Sequence, residues 1–213
     1  MVRTKICGVT DEADLRAVSE AGAAAVGFIT EVSVDTPREV APDRAADLVA
    51  AAPPFLSTVL VSMPQTPARA VELAGAVAPD AIQLHGDFDA ADVRYVRREA
   101  RADVIMTVDA TDTDRAREYD GVADAVLIDS TTESGAGGTG ETHDWDAAAE
   151  LVDDLSTPLV LAGGLTPENV SEAARTVGPY AVDVSSGVER RGGEKNHEAV
   201  EAFVRNADVG VSV

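Results

Sequence analysis

The chain has almost no lysine. Only Lys5 and Lys195 occur, and the rest of its 17 basic residues are arginines, set against 38 acidic residues for a formal net charge of -21. So negative a surface repels nucleic acid and anionic membrane, which makes both poor partners. The loss of lysine points to a chain adapted to high salt. At 1 M ionic strength the Debye length is about 3 Å, so self-repulsion that would loosen an acidic fold in dilute buffer is largely screened. Cysteine is as scarce. The single Cys7 excludes an internal disulfide and any multi-cysteine metal site. No apolar run approaches the roughly 20 residues of a membrane span. Met1-Val2-Arg3-Thr4-Lys5 leads directly into a strand pattern instead of a signal peptide, so a cytoplasmic protein is expected. Also missing is any linker or low-complexity stretch that would divide the 213 residues, and one domain over 1–213 is expected.

What is present is an alternation of two periods. Short apolar, β-branched runs are expected as strands at Arg3 to Cys7, Ala25 to Ile29, Leu56 to Val61, Ala81 to Leu84, Val104 to Val108, Ala125 to Ile128, Leu159 to Leu161 and Ala181 to Val184. Helical patterns lie near Glu12 to Ala21, Asp43 to Ala51, Pro67 to Ala76, Ala90 to Glu99, Asp112 to Glu118, Asp146 to Asp153, Pro167 to Thr176 and Glu194 to Ala207. Continuous apolar strands joined by helices imply a parallel sheet covered on its outer face, and eight such units can close into an α/β (β/α)8 TIM barrel. An open doubly wound sheet is the alternative, but no glycine-rich fingerprint follows the first strand.

Two late turns carry the first chemical signal. One strand ends in Ala162-Gly163-Gly164 and the next in Ser185-Ser186-Gly187. Strand ends without large side chains leave backbone N–H groups uncovered, and in such barrels the turns after strands 7 and 8 commonly cradle phosphate. The other strand ends also carry polar groups. Lys5 and Cys7 are two residues apart and share a face, and an adjacent ammonium favours the thiolate, which would make Cys7 a usable base. Asp129 ends strand 6 as a candidate acid. His85 follows strand 4 and can be structural or substrate-binding, whereas His143 and His197 lie away from strand ends and are expected on the surface. Arg38 can supply the local positive charge that an anionic ligand needs in so acidic a chain. The glycine-rich stretch 134–140 is expected to act as a lid.

Together Lys5-Ile6-Cys7-Gly8, Gln83-Leu84-His85-Gly86, Leu127-Ile128-Asp129-Ser130, Gly137-Gly138-Thr139-Gly140 with Asp144-Trp145, Leu161-Ala162-Gly163-Gly164-Leu165 and Val182-Asp183-Val184-Ser185-Ser186-Gly187-Val188-Glu189 resemble the phosphoribosylanthranilate isomerases of tryptophan biosynthesis. The resemblance implies the third step of tryptophan synthesis from chorismate. It is an Amadori rearrangement of N-(5'-phosphoribosyl)anthranilate to 1-(o-carboxyphenylamino)-1-deoxyribulose 5-phosphate. It implies Cys7 as general base and Asp129 as general acid. Substrate contacts would come from Lys5, Arg38, Gln83, His85 and Asp183, with Arg38 on the anthranilate carboxylate, and phosphate contacts from Gly163, Gly164, Ser185, Ser186 and Gly187. The substrate's own nitrogen forms the iminium, so no cofactor and no metal is required. One departure is Thr36 where the family has serine before Pro37.

Rival readings are a non-catalytic phosphate-ligand binding barrel, which would need neither acid nor base, and another phosphosugar enzyme. Indoleglycerol-phosphate synthase would need a pair of strand-end lysines that this chain cannot supply. A histidine-pathway isomerase would place aspartate where Cys7 stands. The expected partner is the small-molecule substrate, with the protein a monomer or homodimer.

Overall fold

The alternating periods close on themselves. The computed structural model describes residues 2–129 and 143–209, and its strands β1 (Arg3–Cys7), β2 (Ala25–Ile29), β3 (Ser57–Ser62), β4 (Ala81–Leu84), β5 (Asp103–Asp109), β6 (Ala125–Asp129), β7 (Leu159–Ala162) and β8 (Ala181–Val184) form one closed parallel barrel in chain order. The helices between and after them are α1 (Glu12–Glu20), α2 (Pro42–Ala51), α3 (Pro67–Val77), α4 (Ala90–Glu99), α5 (Thr113–Glu118), α6 (His143–Asp154), α7 (Val170–Val177) and α8 (His197–Val209). This is the (β/α)8 architecture expected. Among the described residues no helix is long and apolar enough to cross a membrane.

Each strand divides its side chains between two cores. Ile6, Phe28, Leu60, Ile82 and Met106 are fully buried and face the helices. Each such side chain contributes about 1.5–3 kcal/mol of apolar burial. The residues between them point into the barrel. Cys7, Val59, Val61 and Ala81 form one inner cluster, and Leu127, Val160, Ala162 and Ala181 another. Three buried polar side chains, Lys5, Gln83 and Asp183, share that interior.

Local signals set the helix starts. The Asp11 carboxylate accepts the N–H groups of Ala13 and Asp14 at the head of α1. Thr66 caps α3 ahead of Pro67, and Asp89 forms a reciprocal capping box with Asp92 on α4. Most strand and helix limits fall within a residue of expectation, while α6 opens at His143, three residues ahead of Asp146.

Two expected helix starts are corrected. Helix α7 begins at Val170 and not Pro167, because the Asn169 carboxamide accepts the Thr166 N–H at 2.8 Å and donates to Gly164 O at 3.0 Å, which holds a separate turn ahead of the helix. The final helix begins at His197 and not Glu194. Glu194–Lys195 (β10) instead pairs antiparallel with Glu189–Arg191 (β9) around Gly192-Gly193. Gly193 has φ +78°, and a Cβ there would come within 2.5 Å of the Pro37 carbonyl oxygen, so glycine is needed both for the turn and for its contact with the β2–α2 loop. The expected lid, 134–140, and the side chain of His143 lie outside the described residues.

Candidate active site

At the C-terminal ends of the strands a cavity of about 540 Å³ is lined by Cys7, Arg38, Gln83, His85, Asp129 and Asp183, together with both glycine- and serine-ended turns. That volume suits a small molecule. The residues singled out in the sequence therefore meet in one place, with one exception. Lys5 lies under the cavity and not on its wall, 4% exposed, its Nζ 2.9 Å from Asp183 Oδ2 across the β1–β8 ladder. Burial works against the ammonium, but the adjacent Asp183 carboxylate and Cys7 together outweigh it and hold Lys5 above its ordinary pKa.

Cys7 reaches the cavity floor because Gly27 stands opposite it on β2. A Cβ on Gly27 would lie 3.0 Å from Cys7 Sγ and 3.3 Å from Lys5 Cε. Here the structure reverses one expectation. Burial pushes the Cys7 thiol up and Asp183 adds to the rise; Lys5 and Lys195 pull it down without overcoming them. The ammonium beside Cys7 is shared with a carboxylate, so it does not leave a standing thiolate in the free enzyme.

Asp129, the last residue of β6, is half-buried on the cavity wall and lies within electrostatic reach of both His85 and Asp183. Gln83 Nε2 donates to Thr107 Oγ1 at 3.2 Å and lies 3.0 Å from His85 Nε2. Burial lowers the His85 pKa to about 4, against a weaker opposite pull from Asp129, so the imidazole is neutral at working pH.

This has a consequence for stability. His85 is harder to protonate in the folded chain than in the unfolded one, where its pKa is about 6.5, so the unfolded state binds more protons between these values. The contribution of a neutral His85 is fully present above about pH 6.5 and is lost as the pH falls toward about 4. His85→Asn should flatten that part of the stability curve, measured as urea midpoints at pH 7 and pH 5. An equal acid-side loss in wild type and variant would refute it.

The two turns of the cradle are pressed together. Gly163 and Gly164 have φ of +90° and +62°. A Cβ on Gly187 would overlap the Leu165 carbonyl oxygen, so only glycine lets the short 3-10 segment Ser186–Val188 sit against the turn after β7. Residues of both turns line the cavity. Three buried side-chain atoms among the described residues lack a partner, Gln83 Oε1, Asp183 Oδ1 and Ser185 Oγ, and all three belong to residues lining this cavity. An unpaired buried polar atom costs about 1–3 kcal/mol, and three of them around one cavity fit a site shaped for a polar ligand.

Arg38 lies over Gly8, which has φ +76° and where a Cβ would meet Arg38 Cδ at 2.9 Å. Its Nε and Nη2 donate to the two carboxylate oxygens of Glu189 at 2.8 and 2.7 Å. Lys195, completely buried, donates from Nζ to Glu189 Oε1 at 2.9 Å and to Ser185 O at 3.2 Å. Although burial opposes it, these partners hold Glu189 below the usual carboxylate range. Sequence reading had no role for Lys195, because it placed the residue on a helix. The signal available was the Gly192-Gly193 pair flanked by charged residues, a two-residue hairpin pattern. His197, expected on the surface, is 42% exposed in its side chain with Nε2 2.8 Å from buried Asp14.

The chain matches a family profile described as N-(5'-phosphoribosyl)anthranilate isomerase over residues 4–206. It is 58% identical to the N-(5'-phosphoribosyl)anthranilate isomerase of the halophilic archaeon Halorubrum lacusprofundi over 207 residues, 97% of each chain. Among solved structures it is similar to phosphoribosylanthranilate isomerase from Thermotoga maritima, with a TM-score of 0.87 at 38% identity over 98% of this chain and 99% of that one. A second solved structure of a phosphoribosylanthranilate isomerase, in complex with reduced 1-(o-carboxyphenylamino)-1-deoxyribulose 5-phosphate, matches with a TM-score of 0.83 at 35% identity, over 98% and 99% of the two chains. With barrel, cavity and strand-end residues all in agreement, the chain belongs to the phosphoribosylanthranilate isomerase family.

Proposed function

We propose that the cavity at the top of the barrel isomerises N-(5'-phosphoribosyl)anthranilate with Asp129 as general acid and Cys7 as general base. The observation that carries this is that the two groups reach one cavity from β6 and β1, and that the glycine- and serine-ended turns and Arg38 line the same cavity. Asp129 delivers a proton to the furanose ring oxygen as the C1'–O bond breaks, and the anilino nitrogen's lone pair forms the iminium. That cation acidifies the C2' hydrogen. The Cys7 sulfur removes it, the electrons of the C2'–H bond flow to the nitrogen, and the resulting enolamine relaxes to the ketone.

Binding at both ends positions the chemistry. The turns at Gly163-Gly164 and Ser185-Ser186-Gly187 would hold the phosphate, Arg38 the anthranilate carboxylate, and Gln83, His85 and Asp183 the hydroxyl groups between them. Lys5 acts from below, by holding Asp183. A cytoplasmic enzyme with one barrel domain over 1–213 completes the reading. Loss of phosphoribosylanthranilate fluorescence on adding the protein in multimolar KCl tests it. Folded protein that binds the substrate without converting it would leave only the phosphate-binding reading.

The opposite end of the barrel bears on assembly. Phe55 is fully exposed with φ +71°, beside a concavity of about 500 Å³ lined by Val49, Ala52, Pro53, Leu56 and Ala78. In a two-fold pair each copy's projecting ring can enter the other's concavity, and the Thermotoga maritima enzyme is described as dimeric. A homodimer through this face is the reading we adopt. Phe55→Glu should then give monomers in sedimentation velocity with turnover intact, and a wild-type chain already monomeric at micromolar concentration would overturn it.

A further inference from the structure

We propose that Lys195 and Glu189 are positioning residues that aim Arg38 and keep its end of the cavity positively charged, an inference resting on the assignment of Arg38 to the substrate carboxylate. The two lysines this chain retains are both buried, and the two have different tasks. Lys5 is matched one to one by Asp183. Lys195 shares Glu189 with Arg38, so two cations stand against one anion.

The geometry gives each residue a task. Glu189 holds the Nε–Nη2 side of the guanidinium through two bonds, which fixes the plane of the fork. A guanidinium carries five N–H donors, so the outer Nη1–Nη2 edge can still receive a second carboxylate in two-pronged fashion. Thr36 Oγ1, 3.4 Å from Nη1, lies near that edge. An arginine neutralised by Glu189 alone would be a weak anion receptor, and with substrate bound it would serve two carboxylates. Lys195 balances that second carboxylate. It also donates to Ser185 O, the first residue of the Ser185-Ser186-Gly187 turn, so one ammonium touches both that turn and the carboxylate that holds Arg38. Its own backbone N–H is held by buried Asp14, which ties the hairpin to α1.

Charge placed this way survives the solvent the composition implies. In multimolar salt surface charges are screened within about 3 Å, so attraction for an anionic substrate has to come from charges enclosed in the protein. The same composition that removed lysine elsewhere leaves Lys195 inside.

The test compares two probes by calorimetric titration in multimolar KCl: reduced 1-(o-carboxyphenylamino)-1-deoxyribulose 5-phosphate, and the same compound without its ring carboxylate. The ratio of their affinities isolates the carboxylate's contribution, because general damage to the site weakens both alike. Arg38→Ala should bring the ratio to about one, as expected when a charged partner is deleted. Glu189→Gln should cut the ratio by on the order of tenfold while leaving the decarboxylated probe within about twofold, and should raise KM with kcat nearly unchanged. Lys195→Met should cut the ratio and also weaken the decarboxylated probe, through the lost bond to Ser185 O. Should Glu189→Gln fail to fold, Glu189→Asp keeps the charge, withdraws it by one methylene and should still lower the ratio. A ratio unchanged in Arg38→Ala would sink the carboxylate assignment itself. A ratio that collapses in Arg38→Ala but persists in the Glu189 and Lys195 variants would overturn the positioning role alone.

Discussion

Asp129→Asn should lower kcat by about 10²–10⁴-fold with KM little changed. The substitution keeps the size of the side chain and its place at the end of β6 while removing the proton that the ring oxygen must receive. In the proposed binding mode affinity comes from the cradle and from Arg38, which the change does not touch, so the loss should fall on the step in which C1'–O breaks. A thousandfold loss corresponds to about 4 kcal/mol of barrier, more than one neutral hydrogen bond contributes, and separates proton donation from simple contact. The measurement is single-wavelength fluorescence decay of phosphoribosylanthranilate, with thermal melts confirming the fold. A kcat within tenfold of wild type would show that another group, or water, delivers the proton.

The second large effect concerns Cys7 and pH. kcat/KM reports the free enzyme, in which the buried thiol stands above its ordinary value of about 8.5. The base must be unprotonated and the acid protonated, so the two titrations oppose each other in the wild type; in Asp129→Asn, where only the base titrates, a raised pKa means that the residual rate keeps climbing as pH rises, about tenfold per unit, with no plateau below about pH 8.5. Cys7→Ser should lose about 10²–10⁴-fold in rate and the pH dependence with it, since an alcohol is not deprotonated in this range. Asp183→Asn gives the complementary shift. Added to Asp129→Asn, it leaves Lys5 acting on the thiol unopposed, and the rising limb should move to lower pH, whatever happens to KM. A profile flat from pH 6.5 to 9 in Asp129→Asn would instead indicate a standing thiolate.

These two predictions draw unequally on the sequence. That Cys7 faces the interior follows from its spacing from Lys5, and that Asp129 stands at a strand end follows from the run Val126-Leu127-Ile128 before it. The protonation state of Cys7 did not follow. It depends first on burial in the closed barrel, and then on the balance between Lys5 and Asp183, which lies 178 residues beyond Lys5 in the chain and opposite it in the β1–β8 ladder. The same holds at Arg38. Its partner Glu189 lies 151 residues away, and the lysine that completes the trio sits on a hairpin which the helical period of the following segment concealed.

By itself the sequence determined the fold class, the order of the barrel, the two glycine- and serine-ended turns and the family, because these follow from local period, local turn chemistry and motifs in chain order. Closing the barrel decided the rest. It brought Lys5 to Asp183, Gly27 under Cys7, Gly187 against Leu165 and Lys195 to Glu189. Charge and desolvation depend on distance through space between groups far apart in the chain. The acidity of Cys7, the neutrality of His85 and the aim of Arg38 are therefore properties of the closed barrel and not of any stretch of it.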